Sequence, residues 1–503
     1  MARDSTTVPN SRNSTSVLFA RLAPRPDFNL RSFFRQSGSG NVYTHVKCLR
    51  STSPNVAPPG EIVNLRALPT IILCLYCAIV THAQTPVTAN PTAPPHITAI
   101  KAGRLLDVDA GKELRNQIIL ISDNHITAVG EAVQIPAGAT VIDLSNMTVL
   151  PGLIDCHTHL ADGARDPSGD PLTYLKRSAA EIALESVPNA RLTLDSGFTT
   201  VRDVGVYRAL TDVALRDAIA RGDIPGPRMY VAGAYVTITG GAGALTGAAP
   251  DIQLPWDLRY GQADGPWQVR AAIRKLANNG VDHIKILSSG AVLEHGSNPN
   301  AQEFTIDELR AAVEEAAAFG LRVEAHAHAT QGIKNAILAG LASIEHASMI
   351  DDEGIALAKQ QGTYLDMDIY DEECIEEDAH HGAIPADFVQ HDAALGQLQR
   401  DNFRKAVAAG AKMTFGTDAG VCPYGIAARQ FAFMVQYGMT PLQAIQAATK
   451  NAADLLGHSD VLGSIKPGKY ADIIAVQNDP LQDVHALENV IFVMKDGKTY
   501  KHN

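Results

Sequence analysis

Between residues 149 and 461, short apolar segments alternate with Ala/Leu/Glu-rich segments of helical period, and this alternation constrains the fold most. The candidate strands are TVLPGLID, FTTVRDV, RMYVAGA, HIKIL, RVEAHA, ASIEH, TYLDM and MTFGTD. Stretches such as EIALESVPNARLTLDSG, TIDELRAAVEEAAAFG and DNFRKAVAAGAK separate them. Gly197, Gly320, Gly340 and Gly410 stand where such helices would end in a left-handed cap. Eight strands with intervening helices predict a (β/α)8 TIM barrel over 149–461. TPLQAIQAATKNAADLLG (440–457) reads as a helical stretch outside that count.

Both ends of the body have another texture. ITAIKAGRLLD, NQIILISDNHITAVG and ATVIDLSNMTVL alternate apolar and polar residues between turn signals, and ADIIAVQ and NVIFVMKDGKTYK do the same near the C-terminus. Ends that match each other but not the middle predict one small β-sandwich domain built from 96–148 and 462–503.

Upstream, RALPTIILCLYCAIVTHA (66–83) has a basic residue, an apolar run and a small-x-small exit, the pattern of a secretory signal peptide over 63–83. The run is short for a membrane span, and no stable membrane anchor is expected. Residues 1–62 are Ser/Thr/Arg-rich. Either they reflect a gene-start error or they form an organelle-type transit segment; the first fits the pattern better. TPVTANPTAPPH reads as a Pro/Thr linker, assigned to 84–95. A secreted or periplasmic location follows.

The whole chain carries −12, and residues 1–83 are net basic, so the body is more acidic than the total. A nucleic-acid partner would want a basic face and is excluded. The six cysteines are Cys48, Cys74, Cys77, Cys156, Cys374 and Cys422. The last three lie far apart in the body, with no CxxC zinc spacing there and no disulfide framework suggested, and Cys156 reads as a small buried residue.

Chemistry gathers at strand ends. His157 and His159 alternate on a strand, so both imidazoles can face one way and share a metal. His326 and His346 end consecutive strands, and neutral imidazole suits Zn2+. His328 shares the direction of His326 and would face substrate. Asp418 follows MTFG and opens a Gly-rich loop, where a carboxylate can bind metal and accept a proton. Lys285 lies between Ile284 and Ile286 and would point inward, an awkward place for an ammonium beside metals.

PGLIDCHTHL, GFTTVRDVG, IPGPRMYVAG, IKILSSG, AHAH, IEHAS, GTDAG, TPLQAIQAAT and GSIKPGKYADIIAV together resemble the amidohydrolase superfamily over about 97–503. The chain is similar to its imidazolonepropionase-related group, with Xaa-Pro dipeptidase-type and ochratoxin-degrading members. The resemblance implies two divalent cations. His157, His159 and Asp418 would hold one and His326 and His346 the other. Lys285, carboxylated by CO2 to N6-carboxylysine, would bridge them. A hydroxide made available by the cations would attack an amide carbonyl, with His328 polarising the oxygen and Asp418 moving the proton. Relatives carry His where this chain has Ala242 in TGGAG, which unsettles their substrate range.

The expected reaction is cleavage of a dipeptide or N-acyl amino acid, with Arg202 a candidate for the free carboxylate. The alternative is hydrolysis of a cyclic amide. A non-catalytic scaffold is the remote case, since it predicts lost ligands and all six are present. A homo-oligomer is expected.

Overall fold

The computed structural model describes residues 96–503 except Gly169, Pro171 and Pro250. The expected N-terminal extension, signal peptide and linker lie outside the described residues. Strands are β1 (Ile97–Asp107), β2 (Lys112–Ser122), β3 (His125–Gly130), β4 (Thr140–Pro151), β5 (Leu153–Thr158), β6 (Phe198–Asp203), β7 (Arg228–Val231), β8 (Tyr235–Val236), β9 (Ile284–Leu287), β10 (Val323–Ala327), β11 (Ser343–His346), β12 (Tyr364–Asp366), β13 (Ile473–Val476), β14 (Val490–Lys495) and β15 (Lys498–His502).

The two ends of the body do meet in one unit. Its strands form a single seven-stranded sheet, β15-β14-β13-β4-β1-β2-β3, and not the expected sandwich of two. Only β1 and β4 run parallel in it. The sheet curls, so that β3 meets the segment before β13 through the His125–Tyr470 bridge. One face encloses Ile100, Ile119, Ile121, Ile473 and Phe492 in a core of its own. The alternate residues Ile474, Val490 and Val493 join the larger core beneath. Period-two alternation is therefore apolar on both faces.

β4 passes into β5 through Gly152. A Cβ there would meet Thr199 Oγ1 at 2.0 Å, so no other residue lets β5 lie against β6 at this point. Two parallel sheets follow, β5-β6-β7 and β12-β11-β10-β9-β8. They form a TIM-barrel-like α/β layer, although not one continuous ladder. MTFGTD does not form a strand of its own. Backbone bonds tie it to both sheets: on the β12 side Leu365 N–H donates to the carbonyl of Lys412 just before it (2.9 Å) and Thr414 N–H donates to Leu365 O (3.1 Å), and on the β5 side Cys156 N–H donates to Phe415 O (2.8 Å).

Around these strands lie α1 (Thr173–Lys176), α2 (Ala179–Asp195), α3 (Thr211–Ala220), α4 (Gly265–Asn278), α5 (Ile306–Ala318), α6 (Thr330–Ala339), α7 (Asp352–Gln361), α8 (Asp371–His380) and α9 (Ala386–Ala409). Capping boxes start α2 (Ser178, Glu181) and α5 (Thr305, Glu308). Ile284, Ile286, Ala325, Ala327, Ile344 and Leu365 pack outward with Leu309, Ala312, Ile333 and Ile337 of the helices. Alternation then turns Lys285, Glu324, His326, Ser343 and Glu345 inward.

A disulfide joins Cys374 of α8 to Cys422, 48 residues away, contrary to the expectation of none. The spacing held no signal, because the pair forms only when α8 folds back over the Asp418 loop. Cys156 is the free cysteine among the described residues and is fully buried, as its apolar context implied.

Candidate metal centre

One cavity of about 230 Å³ opens at the C-terminal ends of the parallel strands. His157, His159, Lys285, His326, His328, His346 and Asp418 all line it. His157 and His159 leave the end of β5, and Asp418 lies across from them. Its Oδ1 is 3.5 Å from His157 Nε2 and 3.1 Å from His159 Nε2. The other His159 nitrogen lies 3.0 Å from both the Gly205 carbonyl and the Tyr235 hydroxyl, which fixes the ring. Gly205 has φ +115° and a Cβ there would strike the Tyr235 ring, so glycine is required.

His326, His328 and His346 form a second group, with ring centroids 4.5–4.6 Å apart. His346 is off the inward parity, because Ser343 and Glu345 already face the interior. Its φ of +63°, followed by +51° at Ala347, turns the imidazole into the cavity. Asp418 is also left-handed at +49°. Such strain in non-glycine residues gathers at functional sites. Asp368 Oδ2 then holds His346 Nδ1 at 2.7 Å.

Within the ligand cluster, burial decides the charge states. Desolvation pulls His157, His326 and His328 well below the ordinary imidazole range, so they are neutral. It also lowers Lys285, whose Nζ is buried without a hydrogen-bond partner. His159 goes the other way. Burial opposes its charge, but Asp418 outweighs burial and lifts it to about 9.

Donor atoms lie within 4.8 Å of one another in the sets His157/His159/Asp418, His326/His328/His346 and His157/His346/Asp368. Neutral imidazoles, a carboxylate and orphaned His157 Nδ1 and Lys285 Nζ are what divalent cations and a lysine carbamate would satisfy. The residues fit such a centre.

Three expectations change. Arg202 does not reach the cavity. It is 3% exposed beneath it, donates to Glu345 and Asp366 at 3.0 Å and to Ser343 at 2.9 Å, and so cannot meet a substrate carboxylate. Its inward parity on β6 places it in the interior and not beyond the strand end. His328 is also recast. The Gln399 amide donates to Asp368, so its oxygen faces Ser348 and accepts that hydroxyl's proton. Ser348 then accepts from His328 Nδ1, at 2.8 Å, leaving Nε2 a lone pair in place of the donor needed to polarise a carbonyl. Ala242 is fully buried and does not line the cavity; its N–H donates to Glu303, and the cavity wall is Gly243.

Sequence reasoning missed Asp368, Asp371, Arg165 and Asp392. Asp368 repeats the direction of Asp366 two residues on, a signal present in TYLDMD. The others sit in loops and helices whose neighbours depend on tertiary structure.

A sequence profile of the Amidohydrolase family matches residues 148–500. The chain belongs to the amidohydrolase family. Ochratoxinase of Aspergillus niger is 32% identical over 439 residues, covering 83% of this chain and 89% of the relative. The crystal structure of a Xaa-Pro dipeptidase with methionine bound in its active site is 37% identical, with a TM-score of 0.76 over 80% of this chain and 100% of that one. A prolidase complexed with N-methylphosphonate-L-proline is 27% identical, with a TM-score of 0.75 over 81% and 100% of the two chains. This amidohydrolase acts on carbon–nitrogen bonds.

Proposed function

We propose that this amidohydrolase cleaves the amide bond of a dipeptide or N-acyl amino acid, using two divalent cations. The supporting observation is the meeting of His157, His159, Lys285, His326, His346 and Asp418 around one cavity, with Lys285 unpartnered. His157, His159 and Asp418 would hold one cation, and His326 and His346 the other. Lys285 would bridge them as a carbamate, formed when its neutral amine takes up CO2 and releases a proton. Cations held there supply Lewis acidity, which lowers the pKa of water and polarises a carbonyl.

The chain's own groups do the rest. Asp418 accepts the proton of the attacking water at a carboxylate oxygen and returns it to the leaving nitrogen. Asp368 orients His346 through Nδ1, and Gly205 and Tyr235 orient His159. His328 Nε2, with its lone pair, can accept a hydrogen bond from substrate or join the second cation. Arg165 is the one arginine among the described lining residues. Arg165 is held by Asp378 and the Val421 carbonyl and would meet the free carboxylate of substrate in place of Arg202. The prolidase relative takes N-methylphosphonate-L-proline, a compound with a free carboxylate and a tetrahedral phosphorus where an attacked carbonyl carbon would be.

The test is turnover of a dipeptide and N-acyl-amino-acid library by the protein loaded with Zn2+ and bicarbonate. A flat response with turnover of a cyclic amide would end the dipeptide reading. Lys285→Ala should lower bound metal below two ions per chain and abolish activity; retained activity would refute the bridge.

A further inference from the structure

We infer that His328 is a third imidazole ligand of the second cation, which would then sit among His326, His328 and His346. The inference deepens the two-cation reading and rests on it.

His326 belongs to β10, His328 follows that strand by one residue, and His346 ends β11. All three side chains are buried. One ring nitrogen from each lies within 4.8 Å of the other two. A tetrahedral Zn2+ with Zn–N of about 2.0–2.1 Å would hold three nitrogens about 3.3 Å apart, so each ring would close in by less than about 1 Å.

Tautomers decide what these rings offer. Each has a fixed acceptor at one nitrogen. His326 Nε2 donates to the Gly290 carbonyl at 3.2 Å, and His346 Nδ1 donates to Asp368 Oδ2 at 2.7 Å. His328 Nδ1 donates to Ser348 Oγ at 2.8 Å. A neutral imidazole that donates at one nitrogen keeps a lone pair at the other. Lone pairs therefore remain at His326 Nδ1, His346 Nε2 and His328 Nε2. Histidines that bind metals are held in this way, by a partner that takes the second N–H.

The Ser348 proton is not available to reverse the His328 bond. It goes to Gln399 Oε1 at 2.5 Å, and the Gln399 amide donates to Asp368 Oδ1 at 2.8 Å. One buried chain of hydrogen bonds thus runs from His328 through Ser348, Gln399 and Asp368 to His346. It orients both imidazoles together. With the Lys285 carbamate, three imidazoles would give the second cation four protein donors. That nitrogen-rich set suits Zn2+ or Co2+ over Mn2+.

The experiment titrates the metal-free full chain with Zn2+ in bicarbonate buffer, in competition with a chromophoric chelator. Wild type should bind two ions. In His328→Ala one affinity should fall by about 100-fold or more, since losing even an outer partner of a ligand costs about 10–100-fold. The other affinity should stay within about threefold. Two unaltered affinities, with KM raised, would make His328 an acceptor for substrate and overturn the inference. If His328→Ala does not fold by circular dichroism, His328→Gln, closer in volume, takes its place with the same two outcomes. A wild type that binds a single ion would end the two-cation reading on its own. The inference then stands if His326→Ala and His328→Ala both release that ion, and falls if His328→Ala keeps it.

Discussion

Replacing Arg202 by methionine separates a structural role from a substrate-binding one. The guanidinium is 3% exposed and neutralises Glu345 and Asp366 at 3.0 Å, with Glu324 at 3.9 Å. Methionine fills similar volume but leaves these carboxylates buried without their cation. Removing one partner of a buried pair costs about 3–5 kcal/mol. A folded body of about 400 residues unfolds with an entropy of roughly 0.8 kcal/mol/K, so about 4 kcal/mol corresponds to a fall in Tm of about 5 °C. Differential scanning calorimetry of apo and metal-loaded protein measures it, and KM on the folded enzyme is measured alongside. The expected result is a lower Tm with KM changed less than about threefold. An unaltered Tm with KM raised tenfold for carboxylate-bearing substrates would refute the reasoning and return Arg202 to the substrate.

Asp368→Asn should weaken metal binding by about 10–100-fold through loss of the charge behind His346, read by metal titration with circular dichroism unchanged. An unaltered affinity would show that Asp368 only packs. Replacing Cys374 and Cys422 by serine frees a 48-residue separation and should cost about 4 kcal/mol on the chain-entropy account, measured by urea unfolding. A loss below about 1 kcal/mol would mean that other contacts already restrain the loop. Asp392 bears on pH. Its carboxyl is raised by burial from 3.8 to about 7, so the stability tied to it is fully present below about pH 4 and lost as pH rises through 7. Asp392→Asn carries no such loss, and its Tm advantage over wild type should grow from pH 4 to pH 8. An advantage constant across that range would deny burial as the cause.

Much of the centre was legible along the chain because its logic is local. Ile284-Lys285-Ile286 alternates within one strand, and Lys285 does face inward between two outward isoleucines. His157 and His159 share a direction for the same reason. The logic failed where the backbone leaves regular geometry. His346 would face outward on an ideal strand, and its inclusion in the cavity depends on two consecutive left-handed residues that no pattern in IEHAS announces. Arg202 lies within β6 with inward parity, yet depth within the barrel-like layer, set by the strand register, puts it below the cavity and among carboxylates from β11 and β12.

The sequence by itself determined the alternation of strands and helices, the pairing of both termini in one β-unit, and the kinds of donor atoms at the strand ends. These follow from short-range periodicity and residue chemistry. Only the tertiary structure decided that the β-unit is one curled sheet, that Cys374 meets Cys422, that His328 presents a lone pair through Ser348 and Gln399, and that Asp392 lines the cavity unpaired. Each depends on groups brought together across long separations. Whether a buried charge is neutralised depends on which distant side chains the closed fold brings to it.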